Sequence, residues 1–125
     1  MSTLYCDSRG DKRFSALYAV VQFKDGHRET IEHFYQGCKR TKDCHPARKG
    51  AFVDHIVING EALPASYLTP LYQQLWEMYF KQNPELLVYA SQFDTFIDRF
   101  AGRSTNTQAK SIEKIVLRYK SYLNK

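Results

Sequence analysis

The segment from residue 26 to residue 39 constrains the fold most strongly, because a glycine turn there leads into a short helix with two distinct faces. Glu32, Gln36 and Lys39 stand three and four positions apart, and a helix brings such positions onto one side. The other side is apolar and consists of Ile31, Phe34, Tyr35 and Cys38. A helix needs no acid, amide and ammonium in one row in order to pack. The pattern therefore favours a polar pocket for a nucleotide-like or sugar-phosphate ligand.

Length and composition are those of one globular domain. The chain has 125 residues, of which 43% are hydrophobic, so we expect residues 1–125 to form a single domain. No run approaches the roughly 20 apolar residues that a membrane span needs. The first residues lack the basic and apolar segments of a signal peptide. These features predict a cytoplasmic protein with no membrane partner.

Charge, cysteines and missing motifs narrow the chemistry. The net charge of +5 suits an anionic ligand but falls short of the basic stripe of a dedicated duplex-DNA binder. Three cysteines are an odd number, which predicts free thiols in a reducing compartment. The chain has no dinucleotide-binding glycine motif, phosphate loop or serine-hydrolase elbow. His33, Cys38, Cys44 and His45 are residue types that bind zinc, but the chain has no Cys-x-x-Cys pair and their spacing is poor for a zinc site. We therefore predict no metal and no cofactor.

Alternating and β-branched segments predict several short strands. We expect a strand and turn over residues 4–11, a strand over 16–23, and a turn at Asp25-Gly26. A basic loop spans residues 40–50. Asn59-Gly60 predicts a hairpin between a strand over residues 52–58 and a return strand over 61–63.

Helical periodicity dominates the second half of the chain. Thr69-Pro70 predicts a helix start and Pro84 predicts both the end of that helix and the start of a short one. A further short helix, ended by Gly102, is suggested by the spacing of Phe93, Phe96, Ile97 and Phe100. A last helix begins near residues 104–106, and its predicted buried stripe consists of Ala109, Ile112, Val116, Tyr119 and Leu123. We therefore predict an α+β fold, a single mostly helical domain with a small antiparallel sheet.

Glu32 is the leading catalytic candidate. A carboxylate at the edge of a pocket acts as a general acid or base, or stabilises a cationic sugar transition state. The ordinary alternative is a solvated first-turn acid that complements the helix dipole, and from spacing alone this alternative is the commoner one. His33 is either a ligand contact or a partly buried aromatic residue. Gln36 and Lys39 are candidates for a ribose hydroxyl or a phosphate, although a lysine at a helix end is often only favourable dipole chemistry.

Two later segments carry further polar candidates. Asp94 and Asp98 stand four positions apart beside Arg99 and Arg103, and they form either a second polar wall of the pocket or a charged outer helix face. Asn106 and Gln108 stand at a loop-to-helix junction, where backbone amides favour anions. The basic ridge, which consists of Lys110, Lys114 and Arg118, contacts phosphate or nucleic acid or is simply a solvated face.

Three segments in order resemble the NADAR superfamily, which includes the YbiA-like N-glycosidases. Residues 4–11 end in a Ser-Arg-Gly-Asp turn, and residues 14–17 (Phe-Ser-Ala-Leu) resemble the family's Phe-Ser-Asn-Phe. Residues 30–39, Thr-Ile-Glu-His-Phe-Tyr-Gln-Gly-Cys-Lys, resemble its Ser/Thr-Val-Glu-His-Tyr/Phe-Phe/Tyr-Gln-x-x-Lys helix and are the most distinctive match. The family's Asn is Ala16 here, and its Trp-Gly pair before the final Asn is absent.

The resemblance implies hydrolysis of an N-glycosidic bond in a ribose-phosphate or ADP-ribose-type nucleotide conjugate. Glu32 would be the carboxylate that faces the ribose cation, and Asp98 would be the second acid. Gln36 and Lys39 would orient ribose or phosphate, with Arg9, Arg13 and Asn106 on the anion side; Ser15, His33 and Gln108 complete the predicted ligand-binding set.

A different class of protein remains as the alternative. The basic loop and the basic ridge are also typical of a small basic nucleic-acid-binding or interaction module of phage or plasmid origin. Within the family resemblance, the other possibility is a descendant that only binds ADP-ribose-like nucleotides. The predicted partner is thus a small-molecule nucleotide or an ADP-ribosylated substrate, with nucleic acid as the alternative.

Overall fold

A computed structural model describes residues 2–99 and 108–124, and in these ranges the chain is a mixed α+β domain. Its α-helices are α1 (Ile31–Gly37), α2 (Leu68–Gln82), α3 (Pro84–Ala90) and α4 (Gln108–Leu123). Its strands are β1 (Thr3–Tyr5), β2 (Val20–Gln22), β3 (Arg28–Thr30), β4 (Lys39–Arg40), β5 (His55–Ile58), β6 (Glu61–Pro64) and β7 (Thr95–Ile97). No helix among the described residues is long and apolar enough to cross a membrane.

The strands form three small sheets instead of the one predicted. β4, β5 and β6 form an antiparallel sheet in that order, β2 and β3 form an antiparallel pair, and β1 and β7 form a parallel pair. The β5–β6 hairpin turns at Asn59 and Gly60, whose φ angles of 52° and 80° are the left-handed values that a two-residue turn requires. The predicted hairpin is therefore confirmed, although β5 begins at His55 and not at residue 52.

The helix predicted around residues 93–100 is wrong over the described residues. Thr95–Ile97 is a strand, and its register against β1 pairs Leu4 with Phe96. The main-chain N–H groups of Asp94 and Thr95 both donate to the carbonyl of Ser2, and Cys6 N donates to Ile97 O over 2.8 Å. The N-terminal strand β1 provides the hydrogen-bonding partner for this segment. Because β1 is about 90 positions away in the chain, the spacing of nearby apolar residues gives no sign of this pairing.

Local signals place the helix ends. The Thr30 side chain accepts a hydrogen bond from His33 N over 3.1 Å, and this bond caps α1. α2 stops at Gln82 and α3 starts at Pro84, as predicted. The predicted strand over 16–23 is shorter, since residues 16–18 form a turn and only Val20–Gln22 is a strand.

The core is a continuous cluster around α2. Trp76 and Phe14 are fully buried there, together with Ile31 from α1 and Ile56 from β5. α2 packs against α1, β2, α3 and α4. The predicted stripe of α4 is buried at Ala109, Ile112 and Val116, half-buried at Tyr119 and exposed at Leu123, so α4 leaves the core in its last turns.

Candidate functional site

The main chain of Ala16 joins the first turns of α1 and α4. Its carbonyl accepts a hydrogen bond from Glu32 N over 3.0 Å, and its N–H donates to Gln108 Oε1 over 2.6 Å. Ser15 beside it is almost fully buried, and its Oγ accepts from Leu17 N over 3.4 Å. Glu32, Ser15 and Gln108 are therefore brought into one region, as the predicted site requires.

Glu32 is a partly buried carboxylate next to the basic loop. Its side chain is 28% exposed, and its Oε1 lies 3.6 Å from Lys49 Nζ. The Lys49 side chain is 70% exposed, so solvent screens this pair and it contributes little to stability. A carboxylate in this position remains accessible to a ligand and already lies beside a cation.

Gln36 joins the basic loop to Lys39. Gln36 Nε2 donates to the carbonyl of Ala47 over 3.0 Å, and Gln36 Oε1 accepts from Lys39 Nζ over 3.1 Å. Lys39 Nζ also lies 4.6 Å from the centre of the Tyr35 ring, a cation–π distance. Burial lowers the pKa of Lys39, while the charge of Glu32 acts in the opposite direction. The predicted row of acid, amide and ammonium therefore exists on α1 and at its end.

Tyr72 on α2 is a buried tyrosine that lies next to α1. Burial raises the pKa of Tyr72 above its usual range; the neighbouring indole of Trp76 acts in the opposite direction, and the charges of Glu32 and Asp98 raise the pKa further. The Tyr72 ring also meets Tyr35 edge-on at 4.9 Å. Tyr72 therefore packs a buried, hydroxyl-bearing ring against Tyr35 of α1.

The segment that carries Asp98 is held by an ion pair between the buried carboxylate of Asp7 and the partly exposed guanidinium of Arg99. Asp7 is 5% exposed, and its carboxylate accepts hydrogen bonds from Arg99 N, Nε and NH2 over 2.9–3.1 Å. The same carboxylate accepts from the main-chain N–H groups of Arg9 and Gly10. The side-chain hydrogen bonds from Arg99 are the largest cause that lowers the pKa of Asp7. This pair places the residues after β7 next to the N-terminal turn.

Other predicted ligand-binding residues lie elsewhere or have partners within the chain. The Arg13 guanidinium forms a two-pronged pair with Asp11 at 2.7 and 2.9 Å and lies 4.6 Å over the Tyr89 ring. Arg9 is exposed. His33 is exposed, and its Nδ1 lies 2.6 Å from Glu29 Oε1. Asn106 lies outside the described residues, as does Arg103 of the second polar wall.

Two clefts lie beside the β2–β3 hairpin, away from Glu32. One of about 480 Å³ is lined by Phe23, Phe34, Tyr67 and Met78 among others, and one of about 590 Å³ by Gln22, Arg28 and Gln82 among others. Glu32 lines neither of them. The described part of the chain holds no group of three His, Cys, Asp or Glu side chains placed to bind a metal ion.

Sequence reasoning missed three residues of this region. Lys49 was only part of a basic loop, because nothing local links it to Glu32. Asp7 was part of a turn, and its partner Arg99 is 92 positions away. Tyr72 did carry a signal: it is a hydroxyl-bearing ring within the apolar stripe of a helix, and buried tyrosines usually direct that hydroxyl to a polar neighbour.

No protein-family model matches the chain, and no curated protein matches it either.

Proposed function

We propose that this domain hydrolyses an N-glycosidic bond in a ribose-phosphate or ADP-ribose-type nucleotide conjugate, with a NADAR-like fold. One observation carries the proposal. The first-turn carboxylate of Glu32 is partly buried, remains 28% exposed, and lies 3.6 Å from Lys49 Nζ.

The chemistry follows from charge. As the bond between the ribose anomeric carbon and the base nitrogen lengthens, positive charge develops on the ribose ring. The Glu32 carboxylate stabilises that charge or takes a proton from the attacking water. Water adds to the anomeric carbon, and the base leaves with the bonding electron pair and a proton. Asp98 is the candidate second acid for delivering that proton to the leaving base.

Cations around Glu32 suit the anionic part of such a substrate. Lys49 is largely exposed and able to reach a phosphate, while Gln36 holds Lys39 at the end of α1. A lysine acts on phosphate as a point charge, so its exact orientation matters less than that of a planar group. Gln108, the first residue of α4, accepts a hydrogen bond from Ala16 N and so lies at the α4 side of the same region.

The decisive experiment is Glu32→Gln assayed for turnover and binding. Purified protein is incubated with NAD, with ribose-phosphate conjugates and with ADP-ribosylated guanine oligonucleotides, and the released base is measured by mass spectrometry. The amide keeps the shape of the side chain but not its charge. We expect a loss of about 10²-fold or more in turnover, with thermal stabilisation by ADP-ribose retained.

Glu85→Gln is the matched control, because Glu85 is also a first-turn helix acid and is exposed on α3. We expect it to leave turnover unchanged. If Glu32→Gln turns over the substrates as fast as Glu85→Gln does, Glu32 is only a dipole-complementing acid and the proposal is wrong. Ligand binding without turnover in the unmodified protein would instead support a non-catalytic nucleotide-binding module.

A nucleic-acid-binding function is the second candidate, and the exposed basic ridge on α4 favours it. Lys110, Lys114 and Arg118 are all exposed, and Arg118 lies 3.3 Å from Glu77. This function predicts binding to short oligonucleotides that weakens steeply with salt and with replacement of Lys110 and Lys114. Glu32→Gln would not affect that binding.

A further inference from the structure

A second cluster of reactive groups lies in the turn that joins β4 to β5, and the proposed glycosidase chemistry does not use it. Cys44 Sγ lies 3.6 Å from His55 Nε2, and His55 Nδ1 lies 2.9 Å from Asp54 Oδ2. We propose that Cys44, His55 and Asp54 form a reactive-thiol site, at which Cys44 exchanges with small-molecule disulfides and becomes reversibly S-thiolated.

The main chain holds these three groups together. Cys44 N donates to the carbonyl of Thr41 over 2.9 Å, and Thr41 N donates to the carbonyl of His45 over 2.8 Å, so the turn is closed on itself. Arg40 pairs with His55 across β4 and β5. Asp54 N donates to the Arg40 carbonyl over 3.0 Å. The thiol therefore meets an imidazole that belongs to the adjacent strand.

The hydrogen-bond pattern sets the proton positions. An ionised carboxylate only accepts hydrogen bonds, so the contact with Asp54 requires the proton of His55 on Nδ1. Nε2 is then an acceptor that faces the Cys44 thiol. This order of thiol, imidazole and carboxylate is the arrangement by which a general base activates a cysteine nucleophile.

Exposure separates Cys44 from the other two cysteines. Cys44 is exposed, whereas Cys6 and Cys38 are buried. Burial raises the pKa of Cys6 to about 12, with nearby acids adding to the effect, and burial also raises the pKa of Cys38. A buried thiol is both inaccessible and hard to ionise. Cys6 and Cys38 therefore serve as unreactive references in the same molecule.

The exchange step is balanced without any further reagent. The thiol proton of Cys44 moves to His55 Nε2, and the thiolate attacks one sulfur of the small-molecule disulfide. The new bond joins Cys44 Sγ to that sulfur, while the original sulfur–sulfur bond breaks. The released thiolate takes up the proton. Cys44 is oxidised, and half of the disulfide is reduced to a thiol.

His55 links the Cys44 thiol to the Asp54 carboxylate. The other charged or titratable groups near this turn in the chain are Lys42, Asp43 and His45, with Arg40 on β4 paired with His55 on β5. His55 is the group in hydrogen-bond contact with the thiol, so its removal must dominate any change in reactivity.

The test compares alkylation and exchange rates at each cysteine. Purified protein reacts with limiting iodoacetamide or with glutathione disulfide, and peptide mass spectrometry measures the modified fraction of each cysteine over time. At about pH 7 we expect His55→Gln to slow Cys44 modification roughly tenfold and Asp54→Asn to slow it several-fold. His45→Gln is the matched control, since His45 is exposed in the same turn, and we expect a change below about twofold.

A pH profile distinguishes activation from a merely structural role. Between about pH 6 and about pH 8 the rate at Cys44 should vary weakly in the unmodified protein, and it should rise about tenfold per pH unit in His55→Gln, as for an ordinary thiol. Equal rates and equal slopes in the two proteins would overturn the proposal. If His55→Gln does not fold, Asp54→Asn and the profile of the unmodified protein decide: an ordinary-thiol slope in both refutes the proposal. Glu32→Gln must leave the Cys44 rate unchanged, which separates this site from the glycosidase proposal.

Discussion

Replacing Asp7 by Asn should destabilise the fold far more than the same change at Asp11. Both carboxylates form a two-pronged pair with an arginine and accept main-chain N–H groups. They differ in burial: the Asp7 side chain is 6% exposed, whereas Asp11 and its partner Arg13 are 22% and 50% exposed. Asp7→Asn removes the charge and turns an NH2 group towards donors that need an acceptor.

The magnitude follows from that burial. Removing one partner of a fully buried ion pair costs about 3–5 kcal/mol. The Arg99 side chain is 44% exposed, so solvent compensates part of the loss and we expect about 2–3 kcal/mol for Asp7→Asn. In a domain of this size that corresponds to a drop in Tm of roughly 6–15 °C. Asp11→Asn should cost about 1 kcal/mol or less.

Urea denaturation followed by circular dichroism measures both variants, and pH provides a second check. The pKa of Asp7 is lowered on folding, so its contribution is present above its unfolded pKa of about 4 and is lost as pH falls towards the folded value. The difference in unfolding free energy between the unmodified protein and Asp7→Asn should therefore shrink in acid. Equal destabilisation by Asp7→Asn and Asp11→Asn, or a gap that grows in acid, would refute the reasoning.

Two further predictions concern the backbone and a surface histidine. Gly10→Ala should destabilise by about 2 kcal/mol or more, because a Cβ there would overlap the Tyr5 carbonyl oxygen. Gly37→Ala meets nothing within 4 Å and should stabilise by about 0.5–1 kcal/mol, and thermal unfolding compares the two variants. The His27 ring donates hydrogen bonds to the carboxylates of Asp25 and Glu29, which raise the pKa of His27, Asp25 having the larger effect. The contribution of His27 is therefore present below about pH 6.5 and is lost as pH rises through the folded value. The unmodified protein should therefore be more stable than His27→Gln at low pH, and the difference in their unfolding free energies should decrease as pH rises. A difference that does not change with pH would contradict this.

The row of Glu32, Gln36 and Lys39 was predictable because one short helix and the residues just beyond it carry it. These residues lie three and four positions apart, and the Thr30 cap starts the helix that aligns them. The same local logic predicted the coarse α+β class. It did not place Lys49 beside Glu32, since the basic loop has no periodic pattern.

What the sequence determined by itself is the set of features that short-range sterics and hydrogen bonds decide. The Asn59-Gly60 hairpin and the break at Pro84 depend on the backbone angles that one or two residues accept. Tertiary structure alone decided that residues 95–97 form a strand, that Asp7 holds Arg99, and that Lys49 lies beside Glu32. The physical reason is that these contacts join distant segments: they form only once a hydrophobic core has brought those segments together, and no neighbour in sequence encodes their partners.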